Sequence, residues 1–355
     1  MPCAPYHGPM RLSVRRVLGV AALAGTALVF SGCAAPGPMP APTPTPSYTS
    51  SYETPAPTVF APLTGMPVDD PARLAHPSLA AKVDNHEDAR PQVGLEATDL
   101  VFEELVEGGL TRYVAVWHSN VPAEIGPVRS IRPMDPDIIS PFGGIVAYSG
   151  GQYRFVLLMQ ETNVYNAIHG ASDTDAVMYR TPSKAAPHNV LVKAPELIGM
   201  HADLAPPPQQ FSYADAVAGA TATREGEPVG GIDLVFGEPS HPSWRWDAAA
   251  GRWLRSQNGA ADLDSAGAQL SAANVIVVRV PVSTGLGVPK TELIGGGEAL
   301  VLSGGKLVHA TWSKGDRLAP IRLVDDSGTV IRLAPGNSWI ELVPTSGSAS
   351  PVPAA

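Results

Sequence analysis

The chain has 355 residues, 44% of them hydrophobic and 16% charged, which suits a globular protein with a sizeable core and excludes wholesale disorder. That length exceeds one ordinary domain and makes two the default. A net charge of −9 excludes an electrostatic nucleic-acid binder.

The N-terminus carries an address. Arg11, Arg15 and Arg16 form a positive region, with Met10 directly before it as an alternative start. Residues 17–30 are an uncharged apolar run, short and Ala/Gly-rich for a membrane span but suited to a signal peptide. The run ends in Phe30-Ser31-Gly32-Cys33, and small residues before a cysteine resemble a bacterial lipobox, although Phe30 stands where Leu is usual. This predicts a lipoprotein signal peptide over residues 1–32 and an N-terminal diacylglyceryl-Cys33 with palmitate-type acylation. The chain would then be held to the cell membrane on its extracytoplasmic face. The simpler alternative is an ordinary cleaved signal beside an incidental cysteine. Processing at Cys33 leaves 21 basic and 33 acidic residues and a single cysteine. An intramolecular disulfide, a thiol nucleophile other than Cys33 and a Cys-ligated zinc centre are thereby excluded. Eighteen Arg against six Lys, with abundant Ala, Gly and Pro, point to a GC-rich, actinobacterial source.

Residues 33–61 read as a Pro-rich tether, with eight prolines and one charge, Glu53. In polyproline-like form it would reach about 85 Å at most. An N-terminal mixed α/β domain follows over residues 62–206. Within it, residues 79–84 read as a strand, residues 100–106 and 110–118 as a hairpin around Gly108-Gly109, residues 145–148 as a buried strand, and residues 152–161 as a helix. Residues 207–228 read as a linker. Residues 229–345 read as a smaller β-rich domain, whose strands at 274–280, 299–302, 307–312, 321–324, 330–333 and 339–343 are separated by Gly and Asp turns. Residues 346–355 are small and polar and are expected to be disordered. The fold class is therefore α+β.

The densest polar stretch, residues 82–137, holds 11 of the 33 acids together with Lys82, Arg90, Arg112, Arg129 and Arg132. Glu103 and Glu104 are consecutive in an apolar strand, so they point to opposite faces and at least one meets a packed layer. A buried carboxylate needs a partner, and Arg112, Arg129 and Arg132 are the candidates. Two readings stay open. One is a ligand cleft lined by Asp84, Asn85, His86, Glu103, Glu104, Arg112, Arg129, Arg132 and Asp135, closed by the proline-fixed loop bearing Arg180, Lys184, His188 and Asn189. The other is an internal Arg–carboxylate network that fixes the hairpin.

Several blocks resemble one family. Pro62-Leu63-Thr64-Gly65, KVDNHEDARPQ from Lys82, EELVEGGLTR from Glu103, IGPVRSIRP from Ile125 and Ala186-Pro187-His188-Asn189 are similar to the YerB-like lipoproteins. So are Asn274-Val275-Ile276-Val277, Gly295-Gly296-Gly297, Trp312-Ser313-Lys314 and the run from Pro335 to Ile340. The resemblance spans about residues 62–345. It implies a two-domain, membrane-anchored extracytoplasmic protein and carries over no reaction or catalytic residue.

Other sites weigh less. Ser149, after residues 145–148 and before a helix, is similar to a nucleophile elbow, with His169 or His188 and Asp173 or Asp175 as partners, but Ala147 replaces the first glycine. Asp84, His86, His118 and His188 offer N and O metal ligands without an HExxH motif, and no metal or cofactor is assigned. Ser303-x-x-Lys306 falls in a turn. Trp244, Trp246 and Trp253 suit either a core or sugar stacking. The expected function is a non-enzymatic envelope protein that binds a cell-wall component or another envelope protein. A wall-acting hydrolase or transferase using N-domain carboxylates, and a structural scaffold, are the alternatives.

Overall fold

The computed structural model describes residues 58–354. The signal segment, Cys33 and most of the tether lie outside the described residues.

Thirteen strands carry the architecture: β1 (Leu79–Asp84), β2 (Leu100–Leu105), β3 (Thr111–Trp117), β4 (Ile145–Tyr148), β5 (Tyr165–Ile168), β6 (Glu227–Val235), β7 (Pro242–Asp247), β8 (Arg252–Gln257), β9 (Asn274–Val280), β10 (Gly295–Ser303), β11 (Lys306–Lys314), β12 (Ser338–Pro344) and β13 (Ser348–Pro353). The first layer runs β11-β10-β9-β12-β2-β3-β1-β4-β5. Strand β12 lies parallel to both β9 and β2, with Ser338 opposite Asn274 on one side and Leu100 on the other. The N- and C-terminal segments are thus joined edge to edge in one sheet, and the described residues form one compact unit.

Strand β6 begins beside β11 and then leaves it. Beyond a register shift at Val229/Gly231 it pairs with β7 and β13, which with β8 build a second layer. Between the layers, Val101, Tyr113, Trp117, Val275, Val277 and Trp339 pack against Trp244 and Trp253. On the opposite face, Phe102, Val114, Ile276, Val278, Ile340 and Leu342 pack beneath helices α1 (Asp135–Ile139) and α2 (Tyr153–Gln160). Helix α2 buries Phe155 and Met159, four apart on one face, and leaves Tyr153 in solvent. A sheet covered on both faces explains why β9 reads NVIVVRV rather than alternating with polar residues.

The turns match their residues. Gly304 and Gly305, at φ +57° and +77°, make the two-residue turn between β10 and β11. Gly108 and Gly109, at φ +71° and +75°, close the β2–β3 hairpin.

Several expectations need correction. Strand outweighs helix throughout, so the N-terminal half is more β-rich than a balanced α/β domain. Residues 346–355 are not a loose tail: six residues of β6 pair with β13. Residues 207–228 are not a solvated linker. Ser212–Tyr213 pair with Arg332–Leu333, and Phe211, Ala220 and Ala222 are buried. The tryptophans fill the core, with Trp244 and Trp253 buried and Trp246 packed against them, so they do not form a sugar-stacking surface.

Candidate functional site

Glu103 and Glu104 do point opposite ways, and both faces are packed, so both glutamates are buried. On the inter-layer face, Glu103 receives Arg255 Nη2 at 2.6 Å and the Thr111 hydroxyl at 2.6 Å. Arg255 also donates to Asp262 and lies over the Tyr113 and Trp339 rings, 5.4 and 5.0 Å from their centroids. Glu341, beside Glu103 in register, accepts Trp244 Nε1 at 2.7 Å. Burial, then the charge of Glu103, holds the Glu341 carboxyl well above the usual range despite Arg255. A raised value favours the neutral form of Glu341 and lets the two glutamates share one pocket.

On the opposite face, buried Lys82 donates to Glu104 and, at 2.8 Å, to Asp135 Oδ1. The second Asp135 oxygen accepts the Arg132 backbone N–H, so Asp135 fixes the loop before α1 while Lys82 ties the start of that helix to the sheet. Burial and then the neighbouring Asp135 push the Glu104 carboxyl up to about 8, with Lys82 opposing.

A third cluster is half-open. The chain at residues 127–129 runs beside the end of β1: Asp84 N–H donates to Pro127 O and Arg129 N–H to Lys82 O. This sets Arg129 Nε 3.1 Å from Asp84 Oδ2. Met178–Arg180 and Val190–Lys193 form a hairpin whose tip brings His188 Nδ1 to the same oxygen at 2.6 Å. Asn189 fixes that tip by accepting Arg180 Nη1 at 2.7 Å and donating to Thr181 O and Lys184 O. Lys184 Nζ reaches Arg90 O at 2.9 Å, and Arg90 in turn holds Asn85. The His86 ring stacks on His188 at 4.5 Å and 22°. Arg112, opposite Asp84 on β3, donates to Ser130 O, and Arg132 Nε pairs with Glu107 at 2.8 Å. Burial first, then Arg132 and Arg129, pull the Arg112 guanidinium down to about 10 against the attraction of Asp84. Partial burial is the largest single influence on the Glu107 carboxyl and raises it, but the Arg132 bond, a backbone N–H and the charges of Arg132 and Arg112 together hold it below the usual carboxylate range. Arg90 also borders a groove of about 340 Å³ with Pro91, Leu263 and Asp264.

The thirteen sequence-predicted cleft residues therefore divide. Asp84, His86, Arg112, Arg129, Arg132 and His188 converge on this rim, with Arg180, Lys184 and Asn189 shaping the loop over it. Glu103, Glu104 and Asp135 are enclosed in the two buried networks and open on no cleft. Asn85 is buried and spends its amide on Thr111 Oγ1. None of the three expected arginines touches Glu103 or Glu104; Arg255 and Lys82 do. Among the described residues Ser149 is held only through its backbone, to Arg129 O and from the Ser130 hydroxyl, with no histidine on its own hydroxyl, and Asp173 accepts the Tyr165 hydroxyl, so no elbow triad forms. His118 is a core histidine bonded to Leu74 O and His76 O, and burial and then His76 depress it to about 4. Ser303 is buried and donates to Asn274, so no S-x-x-K site forms.

Comparison with known proteins adds the lineage. Residues 63–204 match the family described as "Protein of unknown function (DUF3048) N-terminal domain", and residues 232–340 match the DUF3048 C-terminal domain. The chain belongs to the DUF3048, YerB-like family. Over 300 residues it is 26% identical to "Putative lipoprotein YerB" of Bacillus subtilis (strain 168), covering 82% of this chain and 88% of that protein. A crystal structure of YerB protein from Bacillus subtilis has the same fold, with a TM-score of 0.71 at 24% identity, covering 82% of this chain and 99% of that one.

In this DUF3048 chain the partners that sequence reasoning missed are Glu107, Asp88, Arg255 and Glu341. Glu341 carried a readable signal, a lone charge within a mostly apolar strand, whereas Arg255 sits in the mixed strand RWLRSQ and carried little. Glu107 and Asp88 carried none, being ordinary surface acids until the fold sets them beside Arg132 and His86.

Proposed function

We propose that this chain is a lipid-anchored, extracytoplasmic envelope protein that binds an anionic cell-wall component at the Asp84/Arg129/His188 rim, without chemical turnover. One observation carries the binding reading: Arg112, Arg129 and Arg132 crowd one half-open rim, and among the described residues the carboxylates paired with them are Asp84 and Glu107, while Arg112 has none. Planar guanidinium groups at a partly desolvated surface favour phosphate or carboxylate ligands. The address rests on Arg11, Arg15, Arg16, the apolar run and Cys33, and on the relative's name as a lipoprotein. Among the described residues no helix is long and apolar enough to cross a membrane. Acylation of Cys33, with diacylglycerol and palmitate-type chains, would supply the anchor, and a partner protein in the envelope is the second candidate occupant of the rim.

Calorimetric titration with inorganic phosphate and with purified, phosphate-bearing wall polymer tests the site. Binding should weaken as salt rises. Arg129→Ala should weaken it at least tenfold, the loss expected for one charge-assisted contact of about 1.5–3 kcal/mol. Glu298→Gln, an exposed position on β10 several strands away from β1, should leave it unchanged. An absence of binding at low salt, or equal binding by Arg129→Ala, would overturn the reading.

The Asp84–His188 pair at 2.6 Å favours one second reading, hydrolysis of wall material with His188 as general base. Glu103 and Glu104 have no access to a substrate, so that reading rests on His188. A muropeptide profile changed by wild type and not by folded His188→Gln would support it.

A further inference from the structure

We infer that His86, Asp88 and His188 form a binding site for a divalent transition ion of the zinc class. One ring nitrogen of each histidine and one Asp88 carboxylate oxygen all lie within 4.8 Å of one another. Two imidazoles and a carboxylate form a borderline-soft N2O set, which favours zinc or cobalt over magnesium or calcium.

The local geometry fits an ion better than it fits a hydrogen-bonded cluster. His86 Nδ1 and Asp88 Oδ2 are 3.5 Å apart, long for a hydrogen bond. Two ligands about 2.0 Å from a tetrahedral ion stand about 3.3 Å apart, close to that separation. His188 is oriented from behind. A carboxylate only accepts, so the 2.6 Å contact with Asp84 places the ring proton on Nδ1 and leaves the Nε2 lone pair for an ion. A carboxylate behind a ligating histidine is the arrangement that fixes the tautomer and raises ligand basicity. Asp84 is itself held by Arg129 and by the His86 backbone N–H. The stack of the two rings already sets them side by side.

Binding exchanges one existing contact. His86 Nδ1 accepts the Asp88 N–H at 3.2 Å, capping the short helical turn that follows, and that bond yields when the nitrogen turns to the ion. Neighbouring cations weaken the site. Arg129 is paired with Asp84, Lys184 is engaged with Arg90 O, and burial lowers the Lys184 ammonium against the attraction of Asp88. Three protein ligands leave a fourth position for water or for an anion's oxygen. The ion site does not depend on the anion-binding reading.

The test is zinc binding by the full chain at about pH 7.5, where ordinary imidazoles are neutral. Bound metal is read by elemental analysis after dialysis, and Co²⁺ is added separately as a visible-absorption probe. Wild type should hold one ion more than the folded His86→Ala/His188→Ala variant. Asp88→Asn changes an exposed group and leaves the fold alone, and it should weaken Zn²⁺ at least tenfold. Equal zinc content in wild type and in either variant, or a Co²⁺ spectrum of hydrated octahedral ion only, would overturn the site. Phosphate binding by Arg129→Ala is read independently, so failure of one site does not obscure the other.

Discussion

Glu104 shows how a single buried residue sets a pH dependence. Its carboxyl sits at about 8 in the folded chain against an ordinary value of 4.5, because burial and Asp135 outweigh Lys82. The folded state therefore holds the proton more tightly than the unfolded state. The stability this contributes is complete below about pH 4.5 and is lost as pH rises through about 8. The melting temperature of wild type should fall between about pH 5 and 9, and Glu104→Gln, which keeps the neutral shape, should flatten that slope. Equal slopes would assign the titration elsewhere. Lys82→Met in the same network strands two carboxyls and should cost about 3–5 kcal/mol in urea unfolding.

At the scale of elements, the β2–β12 pairing and the second layer depend on one another through Arg255 and Trp339. Trp339 meets Tyr113 of β3 and Trp244 of β7 edge-on, each at 5.3 Å. Arg255→Met would leave Glu103 and Asp262 buried without their cation and should cost about 3–5 kcal/mol. Adding Glu103→Gln should recover part of the loss, as a double-mutant cycle in urea would show. These contacts also mark the limit of reading the sequence. The alternation in VFEEL placed Glu103 and Glu104 on opposite faces, and the glycines at 108–109 and 304–305 announced their turns. The sequence could not disclose that Glu103 would meet Arg255, 152 residues away, or that His188 would reach Asp84 from 104 residues away. Local pattern fixes which face a residue takes; the parallel register of β12 decides who stands opposite. Residues 348–353 misled for a related reason. Their small side chains carry no periodicity, and what holds them is backbone pairing to β6, which composition does not reveal.

At the scale of the whole molecule, the two matched segments share one sheet and both cores, so they should unfold together. Calorimetry should show one transition, and residues 58–206 made alone should lack a cooperative melt. Two separable transitions would show that the joint between β2 and β12 is weak.

That joint also orders events in time. A ribosome releases β2 long before β12, since Leu100 and its partner Ser338 are roughly 240 residues apart. Until β12 emerges, the apolar β2 has an unclosed edge, a template for wrong pairings and a slow contact to complete. The keystone strand arrives long after the strand it closes, so a chain cut short before residue 338 cannot pass as a finished half. Synthesis of this protein carries a built-in check of completeness: without residues 338–344 the arch does not close.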